Sequence, residues 1–338
     1  MAADSSAKAK SWVMFDQIVE RAAPDGVHSN PWVKDRDGSH RFVPDIETLC
    51  LLLGVPLLLQ ANTQSGVPAL ALDVWLSYEL RRAGFGTDQT WPRPRHPRIL
   101  PAPVAKLLKE LPRSEAVALR TRIERPGAIS GVTSSSASIL GKNYLKQVDV
   151  IISDWATGPE VLISTKRMDS SYGKNAPNRI EESYGDAKNL RLRHPLAAIG
   201  FMFGLRSDIL DKEPATAEWL FDLLAKLGQE DDAYHATGLV LMEYNAHVSV
   251  DNGEEAAAGI IREPGAGTEV DVDVAPAANI DVELMIKGLP KVTIILDKTP
   301  DQLKPGRFLA MMVDRVLKAT PVTMHKDARR RRAEPTQL

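Results

Sequence analysis

Two apolar runs with polar residues at matched ends carry the chemistry of this chain. The first is Gln147-Val148-Asp149-Val150-Ile151-Ile152 and the second Val161-Leu162-Ile163-Ser164-Thr165-Lys166, joined by a turn from Trp155 to Pro159. Alternate residues of an extended chain share a face. Glu160, Leu162, Ser164 and Lys166 therefore align on one side of the second run, and Asp149 and Ile151 on one side of the first. Paired as a hairpin, the runs bring Asp149 and Lys166 together at one end, with Ser164 beside them. An aspartate next to an apolar strand is costly to bury unless it binds something. A carboxylate and an ammonium so placed suit hydrolysis of a phosphodiester with a divalent metal. Hard oxygen ligands hold the ion at the phosphate, and a cation orients water and offsets developing charge.

The elements that must position these residues can be read around them. Gly66-Val67-Pro68 predicts a helix over 69–83, closed by Gly84 and Gly86. On its 3.6-residue stripe Glu79 falls with Leu72, Trp75, Leu76 and Ala83. An acid on that stripe needs a partner, which is either the site or an arginine such as Arg82 or Arg120. Downstream, a helix is expected over about 178–192, a buried strand over 196–203, a helix over 216–227 and a strand over 238–244. Upstream lie a short helix over 12–22, the apolar segment 46–59, helices over 104–111 and 113–124, and a Ser-rich loop over 131–138. A strand over 292–296 and an amphipathic helix over 307–318 come last, before a basic tail, 326–332, expected to be mobile. This order indicates an α/β protein with a mixed central β-sheet flanked by helices on both faces. The expected division is an N-terminal helical and loop segment (1–65), a core (66–250) and a C-terminal extension (251–338).

Composition narrows the function classes. With 338 residues, 43% hydrophobic and 25% charged, the chain suits a soluble globular protein. No run approaches the ~18 apolar residues of a membrane span, and the opening residues lack a signal-peptide pattern. The expectation is a cytoplasmic protein with no membrane partner. A single cysteine, Cys50, excludes an internal disulfide and a cysteine zinc site. No phosphate-loop, dinucleotide-binding or His-Glu-x-x-His motif occurs, which argues against a nucleotide motor, a dinucleotide oxidoreductase and metal-ligand histidines. The net charge of −2 conceals an uneven distribution: 19 Lys and Arg against 11 Asp and Glu over 91–210, and nine acids against one arginine over 251–283. A basic half of this kind can meet DNA phosphates.

The acid, hairpin and lysine resemble the active site of the PD-(D/E)XK nuclease superfamily. The segment from Ser171-Tyr172-Gly173-Lys174-Asn175 through Asn178-Arg179-Ile180-Glu181-Glu182 is similar to the one following the lysine strand in XhoI-type restriction endonucleases. That local resemblance spans Val148 to Leu190, and the general pattern Ala69 to Tyr244. It implies a restriction-endonuclease-like core and a Mg²⁺-dependent, sequence-specific endonuclease for double-stranded DNA, acting as a homodimer in a restriction-modification system. The chain departs from the family at Ser164, where Asp or Glu is usual; serine is a poor primary Mg²⁺ ligand.

Two readings follow. In one, the missing carboxylate comes from the next helix, with Asp149 and Glu181 holding the metal, Lys166 acting on water, Ser164 lining the site, and Glu79 and Glu182 as secondary candidates. In the other, the metal site is lost and the protein only binds DNA. Arg167, Lys174, Asn175, Asn178, Arg179, Arg191 and Arg193 are the candidate DNA contacts, and a loop over Ser171–Asn178 is the expected reader of sequence. A third class, an assembly protein using the acidic 251–283 stretch, predicts no DNA affinity at low salt.

Overall fold

Helix α1 (Ala2–Ala22) buries Met14, Phe15 and Ile18, which recur at helical spacing. A small hairpin of β1 (Trp32–Lys34) and β2 (His40–Phe42) follows. The apolar segment after it is helix α2 (Ile46–Leu58), begun by Asp45, whose carboxylate accepts the Thr48 N–H at 2.9 Å. Helix α3 (Val67–Arg82) starts at Gly66, whose φ of 70° suits glycine, with Pro68 in its first turn. Helix α2 is apolar on most sides, and both α2 and α3 lie inside the molecule, α3 with several charged side chains buried. The computed structural model describes residues 2–62, 65–123, 137–229, 233–245 and 281–337.

After β3 (Thr90–Trp91) and a proline-rich connection, α4 (Ala102–Glu110) and α5 (Arg113–Ile123) enclose a small apolar cluster of Leu100, Ala105, Leu108 and Ile123. A second hairpin, β4 (Ser138–Leu140) and β5 (Leu145–Gln147), leads into β6 (Val150–Asp154) and β7 (Gly158–Met168). Helix α6 (Tyr172–Arg193) crosses to β8 (Ala198–Arg206). The short α7 (Ile209–Lys212) and α8 (Pro214–Leu227) cross to β9 (Ala236–Glu243). The chain ends with α9 (Val282–Lys287), β10 (Thr293–Ile294), α10 (Pro305–Ala319), α11 (Lys326–Ala333) and β11 (Thr336–Gln337).

The central sheet runs β10-β9-β8-β7-β6-β3, with β7, β8 and β9 parallel and the outer pairings antiparallel. The fold is therefore mixed α/β, as the order of elements indicated. Strand alternation splits the core in two. Val150, Ile152, Val161 and Ile163 face a layer containing α1, α2, α3 and α10, and Ile151 and Leu162 face α6 and α8. The first layer draws Phe15, Leu52, Trp75, Phe308 and Ala328 into one cluster. Segments 1–65, 66–250 and 251–338 thus share a core rather than building separate ones.

Two local expectations need correction. Helix α6 begins at Tyr172, so Ser171–Asn178 is not a loop. The Tyr172 hydroxyl bridges the Asp169 carbonyl and the Asp208 carboxylate, and the Gly173 N–H donates to Glu213 at 2.8 Å. Those anchors hold the first turn, and the helix runs on through Pro177. The basic tail is not loose either. It forms α11, with Ala328 buried, and the Arg329 guanidinium donates to the Leu317, Thr320 and Pro321 carbonyls at the end of α10. The apolar segment 46–59 is helical through Pro56. Most of the acidic 251–283 stretch and most of the Ser-rich segment lie outside the described residues. Among the described residues, no helix is long and apolar enough to cross a membrane.

Candidate active site

The ladder between β6 and β7 pairs Val150 with Ile163, which leaves Asp149 just outside it, level with the Ser164–Lys166 segment. Its carboxylate accepts the Thr165 backbone N–H at 2.7 Å. The Thr165 hydroxyl donates to Asp73 Oδ1 at 2.6 Å. One residue thus ties Asp149, at the head of β6, to Asp73, on α3. Asp73 is 8% exposed. Burial, and next the charge of Asp149, push its carboxyl well above the usual range, against the Thr165 hydrogen bond and the positive charge of Lys8. Two carboxylates in this relation repel, and a cation between them would relieve both.

Lys166 reaches toward α6, where its Nζ lies 3.6 Å from Glu182 Oε2. Glu182 also stands 3.8 Å from Lys146 Nζ and 4.0 Å from the Arg179 guanidinium. Lys146, on β5, is paired in turn with Asp186, which accepts the Tyr144 hydroxyl at 3.0 Å. The β4–β5 hairpin is strapped to α6 through Asn189. Its side chain accepts the Asn143 N–H at 2.8 Å and donates to the Tyr144 carbonyl at 3.0 Å. Gly141 packs so closely on that side chain that a Cβ there would meet it at 2.2 Å. Ser164 shares the face of Lys166 by strand alternation and is 7% exposed.

Asp149, Ser164, Lys166 and Glu182 are therefore gathered around the end of β7. Glu181 is exposed: successive helix residues turn by about 100°, so only Glu182 meets Lys166. Glu79 is elsewhere. It is fully buried, salt-bridged to Arg82 at 2.7 Å, and accepts the Asp45 N–H at 2.6 Å. Burial pushes its carboxyl up to about 7, opposed by Arg82 and by the Asp45 hydrogen bond. It joins α3 to the start of α2 and has no part in the site.

Arg167 is likewise committed. It is buried and paired through Nε with both oxygens of Asp169, which also accepts the Tyr244 hydroxyl at 2.6 Å, so it is not a DNA contact. Arg191 donates to the Ala233 carbonyl at 3.1 Å, about 13 Å along α6 from Glu182 at 1.5 Å per residue. Lys174, Asn178 and Arg193 are exposed, and Asn175 and Arg179 half-buried.

Asp73 was not anticipated. Its signal is a lone carboxylate inside Ala69-Leu70-Ala71-Leu72-Asp73-Val74-Trp75-Leu76, the same anomaly that singled out Glu79. Among the described residues, no three His, Cys, Asp or Glu side chains converge as a ready ligand set. The chemistry on offer is a pair of carboxyl groups joined through Thr165, Asp73 buried and Asp149 half-buried, and a lysine–glutamate pair at the next residue of the strand. Comparisons with known proteins return no match: no family model, curated protein or solved structure is significantly similar to this chain.

Proposed function

We propose that this protein is a Mg²⁺-dependent endonuclease of restriction type that hydrolyses phosphodiesters of double-stranded DNA, acting as a homodimer. The observation that carries the reading is Thr165, which links the Asp149 and Asp73 carboxylates one residue before Lys166. Asp149 and Asp73 fit a hard divalent ion, since both are oxygen donors and Asp73 bears the electrostatic cost of its neighbour. When bound there, Mg²⁺ would offset phosphate charge and lower the pKa of water. Thr165 holds the two carboxylates in register through its N–H and its hydroxyl. Lys166 supplies a positive charge to orient water or steady the phosphate, and Glu182 fixes the ammonium from α6. Ser164 lines the same face, and Lys174, Asn178 and Arg193 offer exposed polar groups for the DNA backbone. In this reading the family's second carboxylate, absent at Ser164, is replaced by Asp73 rather than by Glu181 or Glu79.

The second reading is a DNA-binding protein that retains the fold without the chemistry. Ser164 and the lack of a third converging acid among the described residues favour it. Calorimetric titration of Mg²⁺ separates the two. The nuclease reading expects binding by the wild type that is lost in Asp73→Asn and in Asp149→Asn. Absence of Mg²⁺ binding in the wild type, in the presence of DNA, would leave the binding-only reading.

A further inference from the structure

Helices α1 and α3 lie side by side, and a second group of charges occupies the groove between them. A narrow pocket is lined there by Trp12 and Asp16 of α1, Ser77 and Arg81 of α3, and Arg93 and Arg98 of the proline-rich connection. Only a small part of it is deep, with room for about one oxygen-sized group. Arg81 is 3% exposed, and among the described residues its guanidinium donates to neutral oxygens, the Pro92 carbonyl at 3.1 Å and the Ser77 hydroxyl at 3.3 Å. Arg98 lies 4.0 Å from the Trp12 ring centroid and is paired with both oxygens of Asp16, at 2.7 and 2.8 Å. The Nε–H groups of Arg81 and Arg98 are both buried without an acceptor among the described residues. Arg93 is paired with Asp88, which also binds Lys109.

Three guanidiniums line the pocket; Arg93 and Arg98 are each paired with an aspartate, which leaves Arg81 without a carboxylate partner among the described residues. A buried guanidinium cannot shed its proton to escape that cost. Burial and the charge of Arg98 bring Arg81 down to about 9, with Tyr78 and Asp16 opposing. Buried charges of this kind are ordinarily paired, and the forked N–H donors of arginine match the oxygens of a phosphate.

We propose that this pocket is a phosphate-binding site in which the unpartnered Nε–H groups of Arg81 and Arg98 receive an oxygen of a phosphate group. Its place in the fold agrees with a nucleic-acid phosphate as well as a free one. Lys8 and Asp16 belong to α1 and Asp73 and Arg81 to α3, so both groups of charges lie along the same helix pair. Asp73, Ser77 and Arg81 are spaced at four residues along α3, which puts the two ends about 12 Å apart. The site does not depend on the nuclease reading; only the DNA source of the phosphate does.

The test is thermal unfolding of the full chain in Mg²⁺-free buffer at constant ionic strength, titrated with orthophosphate, beside ³¹P line broadening of the same anion. The wild type should gain about 3 °C at a phosphate concentration ten times Kd and broaden the phosphate line. Arg81→Met should lose both effects and, with a buried unpaired charge removed, unfold no lower than wild type without phosphate. No shift and no broadening in the wild type would overturn the proposal, as would an equal shift in Arg81→Met. For the source, duplex DNA binding is measured against salt. A slope of log K on log salt shallower by about one in Arg81→Met assigns the pocket to a backbone phosphate. An unchanged slope assigns it to free phosphate. No arm of the test requires cleavage.

Discussion

Thr165 and Glu79 show how much a single side chain decides. Thr165 is unremarkable as a residue type, yet its N–H and hydroxyl bind both Asp149 and Asp73. Glu79 has the type and the helix expected of a site acid but spends its charge on Arg82. Glu79→Ala would strand a buried guanidinium and should cost about 3–5 kcal/mol in urea unfolding, with Mg²⁺ affinity unchanged; a lost Mg²⁺ response would return Glu79 to the site. Asp149, Ser164 and Lys166 were legible because strand alternation and the hairpin fix their place. Asp73 and Glu79 were not separable, since a helical stripe gives the direction of a side chain and not the depth or partner at its end. Acid sensitivity belongs to this scale too. Burial, with nearby arginines adding to it, holds His28 and His235 down to about 4. Neutral rings in the fold give stability that is full above about pH 6.5 and is lost as the pH falls toward 4. The melting temperature should drop across that window, and His235→Gln should flatten the drop; a variant as acid-sensitive as wild type would refute this role for His235.

Among the elements, α6 and the β4–β5 hairpin act as a unit. Asn189 ties the hairpin down while Lys146 and Tyr144 engage Asp186 and Glu182, so the hairpin helps fix the acid facing Lys166. Asn189→Ala leaves several buried polar groups unmet and should cost about 1–3 kcal/mol. Hydrogen exchange should quicken at residues 141–145 in particular; uniform exchange would mean that the strap is not local. Periodicity located α3, α8, β8 and β9 to within a few residues because their apolar patterns are unbroken. It misplaced the start of α6, because Pro177 looks like a boundary and the anchors that override it, Asp208 and Glu213, lie far along the chain.

The whole molecule is closed by its two ends. Arg331 of α11 donates to the His28 and Arg82 carbonyls, and β11 pairs with β1, so the last residues complete the layer begun by the first. A basic run reads as a solvated tail from sequence alone, since its partners are backbone carbonyls that composition cannot show. Arg329→Ala should therefore lower the melting temperature by about 2–4 °C per kcal/mol lost while leaving the salt dependence of DNA binding as in wild type. A shallower salt slope would instead make α11 a DNA contact. The central claim is tested most directly by incubating a large phage DNA with the wild type and with Lys166→Ala, with and without Mg²⁺. The nuclease reading predicts discrete fragments from the wild type only with Mg²⁺, and a rate lower by about 10²–10³ in the variant. DNA that stays intact with both proteins, though retarded on a gel, would contradict it.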